Sequence, residues 1–137
     1  MAYETTSVPV QQSQAKIKDL IMRNKGTGVA FVCEPPMEGF QAAMPIDGKT
    51  YTTRIQAYLK KERDPEQEAR RIWRVLYYHL KDIFEASNSG VMEFRELILP
   101  YIVTNDGQTV AQHILPKLDS AISGNPARML PAPKDRP

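Results

Sequence analysis

The period of the apolar positions changes along this chain. Over residues 13–24, Ile17, Leu20 and Ile21 recur on one helical face, and Ser13 is placed to cap the first turn. Gly26 and Gly28 close that helix, because glycine takes the left-handed conformation used at helix C-termini. Residues 29–33 form a short, partly β-branched apolar run that predicts a buried strand with Cys33 inside it as a small hydrophobe. After a loop at residues 35–39, Phe40, Ala42, Met44 and Ile46 alternate with Gln41, Ala43 and Pro45. This is a second strand, and Pro45 places it at a sheet edge. Asp47 and Gly48 suit a tight hairpin. Beyond them Tyr51, Thr53, Ile55, Ala57 and Leu59 alternate with Thr50, Thr52, Arg54, Gln56 and Tyr58, the clearest half-buried strand in the chain.

The period then returns to helical. Asp64 and Pro65 supply an N-cap carboxylate and a first-turn proline, and Ala69, Ile72, Trp73, Leu76, Leu80, Ile83 and Phe84 follow at helical spacing. The stretch from Ser87 to Gly90 ends this long helix. A shorter helix carries Phe94, Leu97 and Ile98 and stops near Pro100. Past a turn at residues 105–107, Thr109 and Gln112 match a capping box, and Val110, Ile114, Leu118 and Ile122 share a face. Pro116 is expected to kink or divide that last helix. The reading is an α+β fold: N-terminal helix, three-stranded antiparallel meander, long amphipathic helix packed on the sheet, and two further C-terminal helices. The long helix is expected to present Ile72, Trp73, Leu76, Leu80 and Phe84 to the sheet. One domain over residues 12–123 lies between a flexible arm at 1–11 and a proline-rich tail at 124–137.

The 137 residues are 42% hydrophobic and 25% charged, which suits a soluble globular domain and excludes collagen-like and fully disordered chains. The most apolar stretch, residues 97–103, is far below the roughly 20 residues that span a bilayer, so no membrane association is expected. The single cysteine allows no intramolecular disulfide, and the N-terminal residues do not read as a secretory signal. The cytoplasm is the expected compartment.

Catalytic chemistry finds little footing. Cys33, His79 and His113 lack paired ligand spacing, so neither a metal nor a cofactor is expected. Asp47, Gly48, Lys49 and Thr50 end like a phosphate-binding loop, but Ala43 stands where that loop needs glycine and a strand follows instead of a helix. Glu93 and Glu96 share a helical face with no third titratable group placed beside them. His79 falls opposite its helix's apolar face. A non-catalytic protein is the expectation.

Charge changes this picture more by its distribution than by its total of +2. Residues 49–81 hold nine basic side chains against four acidic, while both flanking stretches are slightly acidic. Arg70, Arg74, Tyr77 and Lys81 fall within about 60° of each other at 100° per residue, and Lys60, Lys61 and Arg63 precede their helix. Cations around an aromatic ring suit a phosphate backbone and a stacked base. The order helix, three-stranded meander, helix over residues 13–86 resembles the double-stranded RNA-binding domain. That resemblance implies phosphate contacts near Lys60, Lys61 and Arg63, at the start of the second helix. Asp64, Glu66 and Glu68 oppose phosphate at that point, and Glu66 and Arg70 also read as an ordinary i,i+4 surface pair.

The C-terminal third is apolar on several sides. Phe94, Leu97, Ile98, Tyr101 and Ile102 fit either a homodimer interface or a third helix central to a monomer. The function expected is a protein-interaction or oligomerisation module whose partner is a second copy or another protein. Nucleic-acid binding through residues 60–81 is the alternative.

Overall fold

The computed structural model describes residues 6–61 and 64–122. It contains α1 (Val10–Arg23), β1 (Thr27–Glu34), β2 (Met37–Ile46), β3 (Lys49–Tyr58), α2 (Pro65–Asn88), α3 (Phe94–Ile98), a 3₁₀ turn (Leu99–Tyr101) and α4 (Val110–Ile122). The α+β architecture is the one read from the sequence. Residues 1–5 of the arm and all of 124–137 lie outside the described residues.

Helix α1 starts earlier than its composition suggests. Pro9 takes the N-cap position in extended conformation, so Val10 and Gln11 are helical and Ser13 lies inside the helix, fully buried. A proline with φ near −60° is already set for helix entry, and no side-chain cap is used. The C-terminus also departs from expectation. The left-handed residue is Lys25, at φ 68°, and the amides of Lys25 and Gly26 donate to the carbonyls of Met22 and Ile21. These two bonds make a Schellman closure. Gly26 is required for space: a Cβ there would meet the Ile21 side chain and lie 2.8 Å from Met44 Sδ.

The sheet is a meander with order β1-β2-β3, both pairs antiparallel. Strand β2 is therefore central, a correction to the edge position expected from Pro45. The reason is register. β1 pairs with β2 only as far as Ala43, so Pro45 sits where the strand has one neighbour and its missing N–H breaks no ladder on the open side. Asp47 and Gly48, with φ 50° and 82°, form the tight hairpin to β3. The β1–β2 connection is also short, Pro35 and Pro36 alone, with Met37 to Gly39 drawn into β2.

Helices α1 and α2 pack against each other and cover one face of the sheet. On that face Phe40, Ala42, Met44 and Ile55 meet Ile17 and Ile21 of α1 and Ile72, Trp73, Leu76, Leu80 and Phe84 of α2 in one buried cluster. Trp73 is fully buried and meets the Phe31 ring edge-on at 5.6 Å between centroids. Asp64 caps α2, its carboxylate accepting from the Gln67 amide at 3.2 Å. Gly90, at φ 80°, follows the end of that helix.

Strand β1 contributes less to the core than its apolar sequence promised. It lies at the edge, so Ala30 and Cys33 are exposed and Val29, Phe31 and Val32 are half-buried. Cys33 accepts a hydrogen bond from Gln14 at 3.4 Å. Its thiol pKa is raised, first by desolvation and then by the Glu38 carboxylate across the ladder. At the opposite side of the sheet, Ile102 bridges to Thr53 and the Val103 amide donates to the Thr52 carbonyl at 2.8 Å.

Candidate functional site

Two surfaces stand out, one apolar and one basic. The apolar one is α4. Its start is well anchored. Thr109 Oγ1 accepts from the Gln112 amide at 3.2 Å while Gln112 Oε1 accepts from the Thr109 amide at 2.8 Å, the reciprocal capping box read from the sequence. Arg54, on the uncovered face of β3, donates to the Gly107 carbonyl and to Gln112 Oε1. Asp106 accepts from Thr104 Oγ1, from the Gln108 amide and faces His113. These contacts, Thr104 first, hold the Asp106 carboxyl down to about 2. A depressed carboxyl favours the folded state above its unfolded value, so this support persists through neutral pH and is lost only as pH falls towards 2. Thr109→Ala should cost about 1 kcal/mol, read as a lower thermal midpoint. An unchanged midpoint would show that Arg54 and His113 hold the helix start without the cap.

Beyond its first turn α4 has little cover. Pro116 lies inside one helix without dividing it, and no residue of α4 is buried. Ile114, Leu115, Leu118 and Ile122 are 44–56% exposed, and Leu99 of the neighbouring 3₁₀ turn is 48% exposed. At 100° per residue the four α4 side chains form one stripe, and Pro116 projects roughly 150° from its centre. By contrast, the residues expected at an interface are used inside the molecule. Ile98 is fully buried, and Phe94, Leu97, Tyr101 and Ile102 pack against the core. Phe94 stacks on Phe84 at 5.6 Å and 6°, and Tyr101 bonds His79 at 2.8 Å. Burial raises the Tyr101 pKa. The uncovered apolar surface thus lies one element further along than those five residues.

The basic surface is the seam between α1 and α2. Arg74 lies over two rings, 5.4 Å from the centre of Tyr77 and 5.0 Å from that of Tyr78. Lys81 lies 5.6 Å from the Tyr78 centre, and Lys16 of α1 lies 5.6 Å from that of Tyr77. The two rings are themselves 4.9 Å apart. Thus three of the four stripe residues, Arg74, Tyr77 and Lys81, come together. Arg70 instead turns back to Gln67 Oε1 at 2.7 Å. Lys60 and Lys61 are exposed in the connection after β3, where the Lys60 amide donates to Glu68, and Arg63 lies outside the described residues. Sequence reading missed Tyr78 and Lys16. Tyr78 stands four residues after Arg74, a spacing that could have found it. Nothing local marks Lys16, which reaches the cluster only because α1 packs beside α2.

Among the described residues no three His, Cys, Asp or Glu side chains are grouped as a metal would need, and no helix is long and apolar enough to cross a membrane. No protein-family model, curated protein or solved structure matches this chain.

Proposed function

We propose that this protein is a non-catalytic association module that pairs with a second copy of itself through the apolar stripe of α4. The observation that carries the reading is the exposure of Ile114, Leu115, Leu118 and Ile122 on one face of an otherwise anchored helix. A helix of 13 residues is marginal in water without an apolar face to pack. An exposed apolar patch of this kind marks an interaction site, and closed two-fold homodimers are the commonest way soluble chains cover one. Ala111, Ile114, Leu118 and Ala121 fall at 3-4-3 spacing, the a/d pattern that lets two helices interlock. A reducing, cytoplasmic setting fits a chain whose single cysteine sits on an exposed edge strand.

Light scattering tests the reading. The wild type should show twice the chain mass of 15.5 kDa, and Leu118→Glu should return it to the monomer. Leu118 is 44% exposed, so within the monomer the substitution should change stability by no more than about 0.5 kcal/mol. A wild type that stays monomeric at its highest soluble concentration would overturn self-association.

A further inference from the structure

Apart from α4, the seam between α1 and α2 has the makings of a ligand site, and we propose that it binds single-stranded nucleic acid. The first component is the cluster already described. Lys16, Arg74 and Lys81 bring three cations from two helices onto one pair of tyrosines. Their positions are set in advance, because each cation is held over a ring face and the helices hold the rings. Arg74 Nη1 is buried with no hydrogen-bond partner. That nitrogen leaves Arg74 with hydrogen-bonding capacity that the protein itself does not use.

The second component is a hollow of about 340 Å³ next to the cluster, between the C-terminal halves of α1 and α2. Leu20 and Phe84 line its apolar part, Asn24 and Asn88 supply amides, and Arg23, Lys81 and the Glu85 carboxylate stand at its rim. Asn88 Nδ2 donates to Asn24 Oδ1 at 3.1 Å, which leaves further donors and acceptors on both amides. Apolar surface and amides in the recess suit an unpaired base, and the cations of the cluster beside it suit the phosphates that the base is joined to.

Carboxylates do not fill the space between the cations. Asp19 pairs with Arg23 at 2.7 Å and Glu85 lies 3.9 Å from Lys81, so the carboxylates gather at the hollow, while Lys16 and Arg74 above it have no acidic ion-pair partner among the described residues. Asp82 is exposed on the flank of α2, and Glu66 lies in its first turn. From Arg70 to Lys81 the basic stripe runs on the order of 16 Å at 1.5 Å per residue. That length offers a strand several phosphates. A duplex would hide its bases and leave the hollow unused, so a single strand is the ligand that fits the seam.

The test uses the full chain and labelled single-stranded RNA and DNA 20-mers, read by fluorescence anisotropy at 50 and 200 mM salt. Three phosphate contacts on a single strand predict a log–log salt slope near −2, so affinity should fall roughly 15–20-fold between those concentrations. Lys16→Gln combined with Lys81→Gln should weaken binding at least about tenfold and flatten the slope. Lys117→Gln, on α4, should leave binding unchanged. Shift perturbations in the wild-type NMR spectrum should fall on Lys16, Arg74, Tyr77, Tyr78, Asn24 and Asn88, which keeps the test valid if the double variant fails to fold. No binding at 50 mM salt would overturn the proposal. So would tighter binding to duplex or to anionic vesicles than to single strands, or perturbations centred on α4. Of these results only the last bears on α4; the others leave its association untouched.

Discussion

Replacing Trp73 by alanine should cost about 3–5 kcal/mol of folding stability, the range for truncating a large aromatic in a close-packed core. Trp73 is fully buried where α2 crosses the sheet, and its ring meets Phe31 edge-on. Truncation opens a cavity beneath the long helix, and rigid strands on one side cannot collapse into it. Against a typical total of about 5–15 kcal/mol, such a loss leaves the fold marginal. Trp73 Nε1 has no hydrogen-bond partner, so part of what tryptophan brings here is an unpaired buried donor. Trp73→Phe keeps an aromatic ring and removes that donor, and it should cost far less. The chain holds one tryptophan, so unfolding in urea is best followed by circular dichroism. A Trp73→Ala protein with the wild-type midpoint would contradict the packing of α2 on the sheet.

The second large effect is expected at Gly39, in the central strand. A Cβ there would lie 2.6 Å from the Ile55 carbonyl oxygen and 2.8 Å from Gln56 Cα. Both are backbone atoms of β3, and moving them breaks the ladder that pairs Gly39 with Gln56. Gly39→Ala should therefore cost about 1–3 kcal/mol or more, as overpacking without a flexible neighbour does. Thermal unfolding measures it. A Gly39→Ala protein as stable as the wild type would show that β2 and β3 separate more easily than their continuous pairing implies.

What was legible in the sequence were the features set by local chemistry. The α2 stripe around Trp73, the Asp64 cap, the hairpin at Asp47 and Gly48 and the Thr109–Gln112 box all depend on residues a few positions apart, and each forms where it was read. The misreadings concern which neighbour an element meets. Pro45 suggests an edge, yet β2 is central because β1 stops short of it. An apolar run predicts a buried Cys33, yet β1 lies at the margin and the thiol is exposed. Lys25 takes the left-handed position that glycine usually fills, while Gly26 beside it answers a steric need arising from Met44 on another strand. Hydrophobicity after residue 90 signals something to be covered, but sequence cannot say which part the core takes. Phe94 and Ile98 went inward and Leu118 and Ile122 stayed out. Three of the five residues of the basic cluster were visible: Arg74, Tyr77 and Lys81 share one helix stripe, Tyr78 lies beside that stripe, and Lys16 comes from another helix.

The unequal margins of the sheet set a limit on how copies of this protein can aggregate. The β3 margin is interrupted at Thr52 and Thr53 by residues 102 and 103, which divides it into two shorter pieces. β1 is different. From Val29 to Glu34 it is paired on one side only, with neither lysine nor proline to blunt its outer margin, while the bulge at Gly28 twists its start. Among the described residues β1 is thus the longest uninterrupted margin at which a foreign strand can dock. Two molecules joined there would use up each other's β1 margin. For a lone copy, edge-to-edge pairing stops at two molecules; in a pair joined through α4 each copy keeps its own β1 margin, so pairing there would extend the assembly.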